Sequence, residues 1–176
     1  IMDCNIESLR DAIGYVPQDN FLFSDKIKNN IAFSCNELDM DKVYDAAKFA
    51  DVHSNIEEFT EGYETVSGER GVTLSGGQKQ RISIARAYIK DAPIMILDDS
   101  VSAVDVKTEE TILANIQSER KGKTTIVIAS HWVGFTLPGM IELPGSFSGI
   151  SNSPMPHRGP EASQRTSLAI FIISAA

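Results

Sequence analysis

Cysteine is scarce in this 176-residue chain, with only Cys4 and Cys35, and the two stand at no metal-binding or redox spacing. That excludes a cysteine-ligated metal centre and suits a reducing compartment. Apolar runs are short, and none approaches the roughly 20 residues that cross a bilayer as a helix. Positive charge is in deficit, with 16 Lys and Arg against 24 Asp and Glu and a net charge of −8. A broad basic surface for a nucleic-acid partner is thereby excluded. The length allows one domain with a modest core.

The most informative stretch is Leu74-Ser75-Gly76-Gly77-Gln78-Lys79-Gln80-Arg81. It is followed by Ile82, Ile84, Ala85, Ala87, Tyr88 and Ile89, the broad apolar face of a helix. Ser75 is a natural cap, and the two glycines bring no side chain that would keep an anion from the first N–H groups. Such a helix start carries unsatisfied donors and about half a positive charge, which favours a phosphate oxygen. Taken alone, Ser-Gly-Gly is equally the entry of an ordinary capped surface helix.

Further short patterns accompany it in order. Tyr15-Val16-Pro17-Gln18-Asp19 follows an apolar strand, and Ile94-Met95-Ile96-Leu97-Asp98-Asp99 ends a second strand in two carboxylates. Ser102-Ala103-Val104-Asp105 comes next, and His131 follows the apolar run 125–129. Gly68-Glu69-Arg70-Gly71 stands just ahead of the Ser-Gly-Gly helix. Singly, each has a bland explanation: a solvated loop glutamine, a capping aspartate, a structural histidine, a charged turn. Together, over about residues 3–131, they resemble the ATP-binding cassette (ABC) ATPases. Residues 74–81 resemble the family's signature motif, Gln18 its Q-loop, and residues 94–99 its Walker B strand. Residues 102–105 resemble the D-loop, His131 the switch histidine, and residues 68–71 the x-loop of exporter-type cassettes.

The resemblance implies an α/β fold of the P-loop NTPase class, a parallel sheet with an inserted helical subdomain. Residues 1–20 would close a core subdomain with the Q-loop, and 21–73 would form the helical subdomain. Residues 74–131 would hold the signature helix, Walker B strand, D-loop and switch histidine. Within the helical block, Ser24 is expected to cap a helix over 25–32, and Asp39 or Asp41 to start another running to Ala50. Both strands 94–97 and 126–129 are apolar on both faces, as buried parallel strands are. Tyr63 and Glu57-Glu58 read as surface. Residues 132–176 match nothing in the family. The stretch 133–176 has no Lys and no Asp, and five of the chain's seven prolines lie between 138 and 160. It reads as loop-like or disordered, an aberrant tail.

Roles follow from the resemblance residue by residue. Asp98 and Gln18 would hold Mg2+. Asp99 and His131 would serve the attacking water and the γ-phosphate of ATP. Ser75, Gly76, Gly77 and Gln78 would face the nucleotide of a second cassette, joined head to tail, with Asp105 reaching across that interface. Asp105 is also placed to cap a helix from about Val106 to Glu119. Asp99 stands where most active members carry glutamate. Its carboxylate is retracted by roughly an ångström, a displacement that can cost about a hundredfold in rate. That suits one chain of a heterodimeric exporter.

No Gly-x-x-x-x-Gly-Lys-Ser/Thr loop occurs in the sequence. The chain therefore reads as a fragment of an exporter with fused membrane helices, its cassette on the cytoplasmic face, and inactive alone. An inactive module that docks on an intact cassette, or a soluble ABC ATPase, are the other readings. Missing neighbouring strands are expected to leave parallel sheet edges uncovered and stability marginal.

Overall fold

The computed structural model describes residues 5–68, 73–100, 104–129, 140–142 and 169–174. A short helix, α1 (Ile6–Asp11), leads into β1 (Ile13–Val16). Four helices follow: α2 (Ile27–Ile31), α3 (Met40–Phe49), α4 (His53–Glu57) and the long α5 (Gly76–Ile89). Then come β2 (Ile94–Asp98), α6 (Val106–Glu119), β3 (Thr124–Ala129), β4 (Met140–Glu142) and β5 (Ala169–Ser174).

The strands form one sheet in the order β1-β2-β3-β5-β4. β1 runs parallel to β2, Ile13 opposite Ile94 and Val16 opposite Leu97. β2 runs parallel to β3, with α6 as the crossover. Alternation along the strands sorts two faces. Val16, Met95, Leu97, Thr125 and Val127 are at most 1% exposed and look toward the helices. Gly14 lies on this side, where a Cβ would come 2.8 Å from the Ala87 carbonyl oxygen of α5. Only glycine allows strand and helix to approach so closely.

The helical block shares that core. Val43, Ala46, Ala47 and Phe49 of α3 are buried against α5, and the Phe49 ring stacks on Tyr88 with centroids 3.8 Å apart. α3 starts on Asp39, whose carboxylate accepts the N–H groups of Asp41 and Lys42. It stops where Asp51 turns left-handed (φ 53°), letting Val52 N–H reach the Ala47 carbonyl at 2.9 Å.

Four expectations need correction. The helix after residue 24 begins at Ile27, and Ser24 does not cap it. The Asp25 carboxylate accepts the Lys26 N–H at 2.7 Å and the Asn29 side chain instead. Tyr63 is not surface: its ring is buried, and its hydroxyl lies 2.6 Å from His53 Nδ1. Burial holds its phenol well above the ordinary range. The two faces of the strands are not equally buried, since Ile94, Ile96, Ile126 and Ile128 on the second face are only half-buried. Finally, two pieces of the tail, β4 and β5, are strands. β5 lies antiparallel against β3, while β1, at the other end of the sheet, pairs with β2 alone among the described strands, so one parallel edge is uncovered as expected.

Candidate functional site

β1 and β2 run parallel, so their carboxyl ends place the Gln18 loop beside Asp98 and Asp99. Asp98 is the last residue of β2 and shares the less covered face with Ile94 and Ile96. The Tyr15 hydroxyl donates to Asp98 Oδ2 at 2.8 Å. That hydrogen bond first, then desolvation and the carboxylate's charge, raise the Tyr15 phenol above its ordinary value. Gln18 Nε2 donates to Asp99 Oδ2 at 3.2 Å. The chain reverses at Asp99, which adopts φ 48° and donates its N–H to the Ile128 carbonyl at 2.7 Å. Aspartate is among the few residues that enter this left-handed region readily.

The donor set suits a hard cation. Tyr15 occupies one oxygen of Asp98, and the Gln18 amide uses its nitrogen on Asp99, which leaves its oxygen as an acceptor. Magnesium takes one or two carboxylates and keeps several waters. It therefore requires no larger cluster, and no group of three His, Cys, Asp or Glu side chains forms one among the described residues.

The signature residues sit apart from this pair, at the start of α5. Ser75 Oγ accepts the Gln78 N–H at 3.2 Å while Gln78 Oε1 accepts the Ser75 N–H at 2.9 Å. This reciprocal box fixes the helix start and leaves the serine proton available to donate. The N–H groups of Gly76 and Gly77 head the first turn, and a Cβ on Gly76 would meet nothing within 4 Å. No neighbouring atom crowds the Cβ position of Gly76 at this helix start. Asp105 caps α6, accepting from Thr108 N and Oγ1 at 3.1 and 2.8 Å. The Thr108 N–H first, then its hydroxyl, hold this carboxyl below the usual range. His131, Glu69, Arg70, Gly71, Ser102 and Ala103 lie outside the described residues.

Several residues that tie these parts together carry no motif. Asn20, two residues past Gln18, donates to the buried Gln80 of α5. Arg86 of α5 donates to the Phe21 carbonyl at 3.0 Å and to the Asn30 carbonyl at 2.7 Å. Burial lowers its guanidinium pKa. Asn30, 1% exposed, in turn holds the N–H and carbonyl of Phe23. The segment leaving Gln18 is thus fastened to the signature helix. Beside it Phe23 stacks on Phe33 at 4.6 Å and meets Phe21 edge-on, with Arg86 over both Phe23 and Phe33. Phe21 and Phe33 remain largely exposed. Arg86 and Gln80 could have been suspected only as polar side chains among the apolar positions of α5, and Asn20, in the segment after β1, carries no such signal.

Parallel strands β1–β3 in a mixed sheet, carboxylates at their carboxyl ends and a capped glycine helix fit the arrangement of an ATP-binding cassette. The ABC transporter family profile matches residues 2–102, and the chain belongs to that family. It is similar to the putative multidrug export ATP-binding/permease protein YgaD of Bacillus subtilis, 48% identical over 129 residues. That match covers 73% of this chain and 22% of the relative. The multidrug resistance-like ATP-binding protein MdlA of Escherichia coli is 48% identical over 131 residues, 74% of this chain and 22% of MdlA. A bacterial Atm1-family ABC exporter solved with ATP bound superposes with a TM-score of 0.67 at 44% identity. It covers 70% of this chain and 22% of its own. The chain thus spans about a fifth of the length of these relatives. The cassette fold expected from the sequence is the one found.

Proposed function

We propose that this chain is part of the nucleotide-binding domain of an ABC exporter, which couples ATP binding and hydrolysis to transport across a membrane in the complete protein. The observation that carries this reading is the convergence at the carboxyl ends of β1 and β2. There Tyr15 orients Asp98 and Gln18 contacts Asp99, 81 residues apart in sequence.

Asp98 and the Gln18 amide oxygen are the groups that would hold Mg2+. The bound ion would supply positive charge against the polyphosphate of ATP. Tyr15 fixes one Asp98 oxygen and so sets the direction of the other. Asp99 and His131 are the residues assigned to the water and the γ-phosphate. The left-handed backbone at Asp99 and its hydrogen bond from Gln18 hold the short carboxylate near the Q-loop. Ser75, Gly76, Gly77 and Gln78 would donate to the γ-phosphate of a nucleotide on a second cassette, with Asp105 at that interface. The reduced reach of Asp99 favours a heterodimer in which the partner's site turns over faster. The exposed Phe21 and Phe33 are the surface proposed to meet a transmembrane domain, with the cassette on the cytoplasmic face.

The sequence holds no Gly-x-x-x-x-Gly-Lys-Ser/Thr loop, so the 176 residues alone are read as a docking module rather than an ATPase. The test is a chimera in which residues 5–129 replace the matching segment of a full-length relative such as YgaD. Measurable ATPase activity, lost on Asp98→Asn and raised about tenfold or more by Asp99→Glu, is the expected result. Activity indifferent to Asp98→Asn would refute the assignment.

A further inference from the structure

Asp98 ends the middle strand of the three parallel ones, held opposite Ile128 of β3. Tyr15 stands on β1 opposite Ile96, two positions before Asp98 and therefore on the same face. Parallel strands rise about 3.3 Å per residue, so a side chain at position 15 must reach roughly 6–7 Å along the strand to touch that carboxylate. Tyrosine spans the distance, and its hydroxyl donates to Asp98 Oδ2 at 2.8 Å. Serine, threonine or asparagine there would fall short, and phenylalanine would reach without a proton to donate. Burial does not force the contact, because Tyr15 is 53% exposed and solvent could satisfy its hydroxyl. Among the described residues no other hydrogen bond reaches the Asp98 carboxylate, since the Gln18 amide contacts Asp99 instead.

The kind of donor matters. A lysine or arginine at this point would cancel the carboxylate's charge and repel an arriving cation. A neutral phenol engages one oxygen and leaves the full charge in place. Coordination of a cation through both oxygens of Asp98 would weaken or break the bond from Tyr15, whereas coordination through Oδ1 alone leaves it intact. Ca2+ takes about six to eight oxygen ligands and commonly claims both oxygens of one carboxylate, while Mg2+ demands near-octahedral geometry and few protein ligands. Hydrogen-bonding partners of a ligating carboxylate orient it and tune the metal it holds. We infer that Tyr15 is a positioning residue that limits Asp98 to one-oxygen coordination and thereby favours Mg2+ over Ca2+ at this site. The inference rests on the assignment of Asp98 to the cation made above and adds the origin of its selectivity. Tyr15 acts through Asp98 and not on the nucleotide.

The test uses the full 176-residue chain, isotope-labelled for amide NMR, with Mn2+ alone as the probe. Bound Mn2+ broadens the amide signals of residues 96–98, and Mg2+ or Ca2+ added in competition restores them. The ratio of the two restoring concentrations reports Ca2+ against Mg2+ preference independently of the affinity for Mn2+. Tyr15→Phe removes the donor and keeps the ring, and an otherwise unchanged spectrum shows that it folds. The expected result is a shift of that ratio toward Ca2+ by about tenfold. An unchanged ratio, whether or not both affinities fall, would overturn the role of Tyr15 while leaving Asp98 as the ligand, provided Asp98→Asn abolishes the broadening. No broadening at 96–98 in the unsubstituted chain, or broadening that persists in Asp98→Asn, would overturn the Asp98 assignment and the selectivity inference with it.

Discussion

The two faces of the sheet differ far more in surroundings than in composition. Val16, Met95, Leu97 and Val127 on one side are sealed under the helices, with no measurable exposure. Ile94, Ile96, Ile126 and Ile128 on the other are equally apolar yet only half-buried, and Tyr15 beside them is 53% exposed. The sealed face is where the fold is held together. The less covered face carries the residues proposed for the chemistry, since Asp98 and Tyr15 both lie on it. A carboxylate that is to meet a cation and a polyphosphate has to keep access to solvent, and this placement gives it that access.

The largest expected effect comes from testing that contrast at adjacent positions. Leu97→Ala opens a cavity in the sealed core and should cost about 2–5 kcal/mol, whereas Ile96→Ala should cost about 1 kcal/mol. Chemical denaturation of the two variants measures the difference, and equal losses would mean that both faces are packed alike. Next in size is Asn30→Ala. It removes the side chain that pairs with Phe23 and Arg86 and leaves buried groups unpartnered, an expected loss of about 3 kcal/mol. It should also free the Gln18 loop from the signature helix, visible as faster hydrogen exchange in residues 18–24 with little change in β3.

The smallest effect is electrostatic. Asp105, Asp25 and Glu64 all have carboxyls below the usual range, the first two chiefly through backbone N–H donors and Glu64 through Lys26 and Lys28. A lowered folded pKa contributes stability above the unfolded value, near 4, and loses it as the pH falls through the folded value. Melting temperature should therefore be flat from pH 7 to about 5 and decline in acid. Asp105→Asn should keep the helix cap and shed part of that acid dependence.

Much of the sealed half was legible in the residues. Ser75 and the apolar periodicity after it mark α5, Asp39 or Asp41 marks the start of α3 (the structure selects Asp39), and Asp105 marks the start of α6, since caps and helical spacing are local properties. The less covered half was not legible in the same way. An isoleucine in a strand is apolar whichever way it points, so the sequence could not say that one face is sealed and the other only half-buried. The Tyr15–Asp98 hydrogen bond joins residues 83 apart, and only parallel pairing brings them together. Tyr63 reads as surface until His53, ten residues earlier, turns back toward its hydroxyl. β5 was hidden by the Gly, Ser and Pro before it. Its value as a strand arises from the edge of β3 rather than from its own sequence.

The central proposal is that Asp98 and the helix start at Ser75 each serve only part of a nucleotide site, since the sequence holds no Gly-x-x-x-x-Gly-Lys-Ser/Thr loop to cradle the phosphates. Titration calorimetry of Mg-ATP into the purified full chain tests it most directly. The account predicts no detectable heat at millimolar nucleotide. Micromolar binding would contradict it, because a second phosphate cradle would then have to exist within this chain.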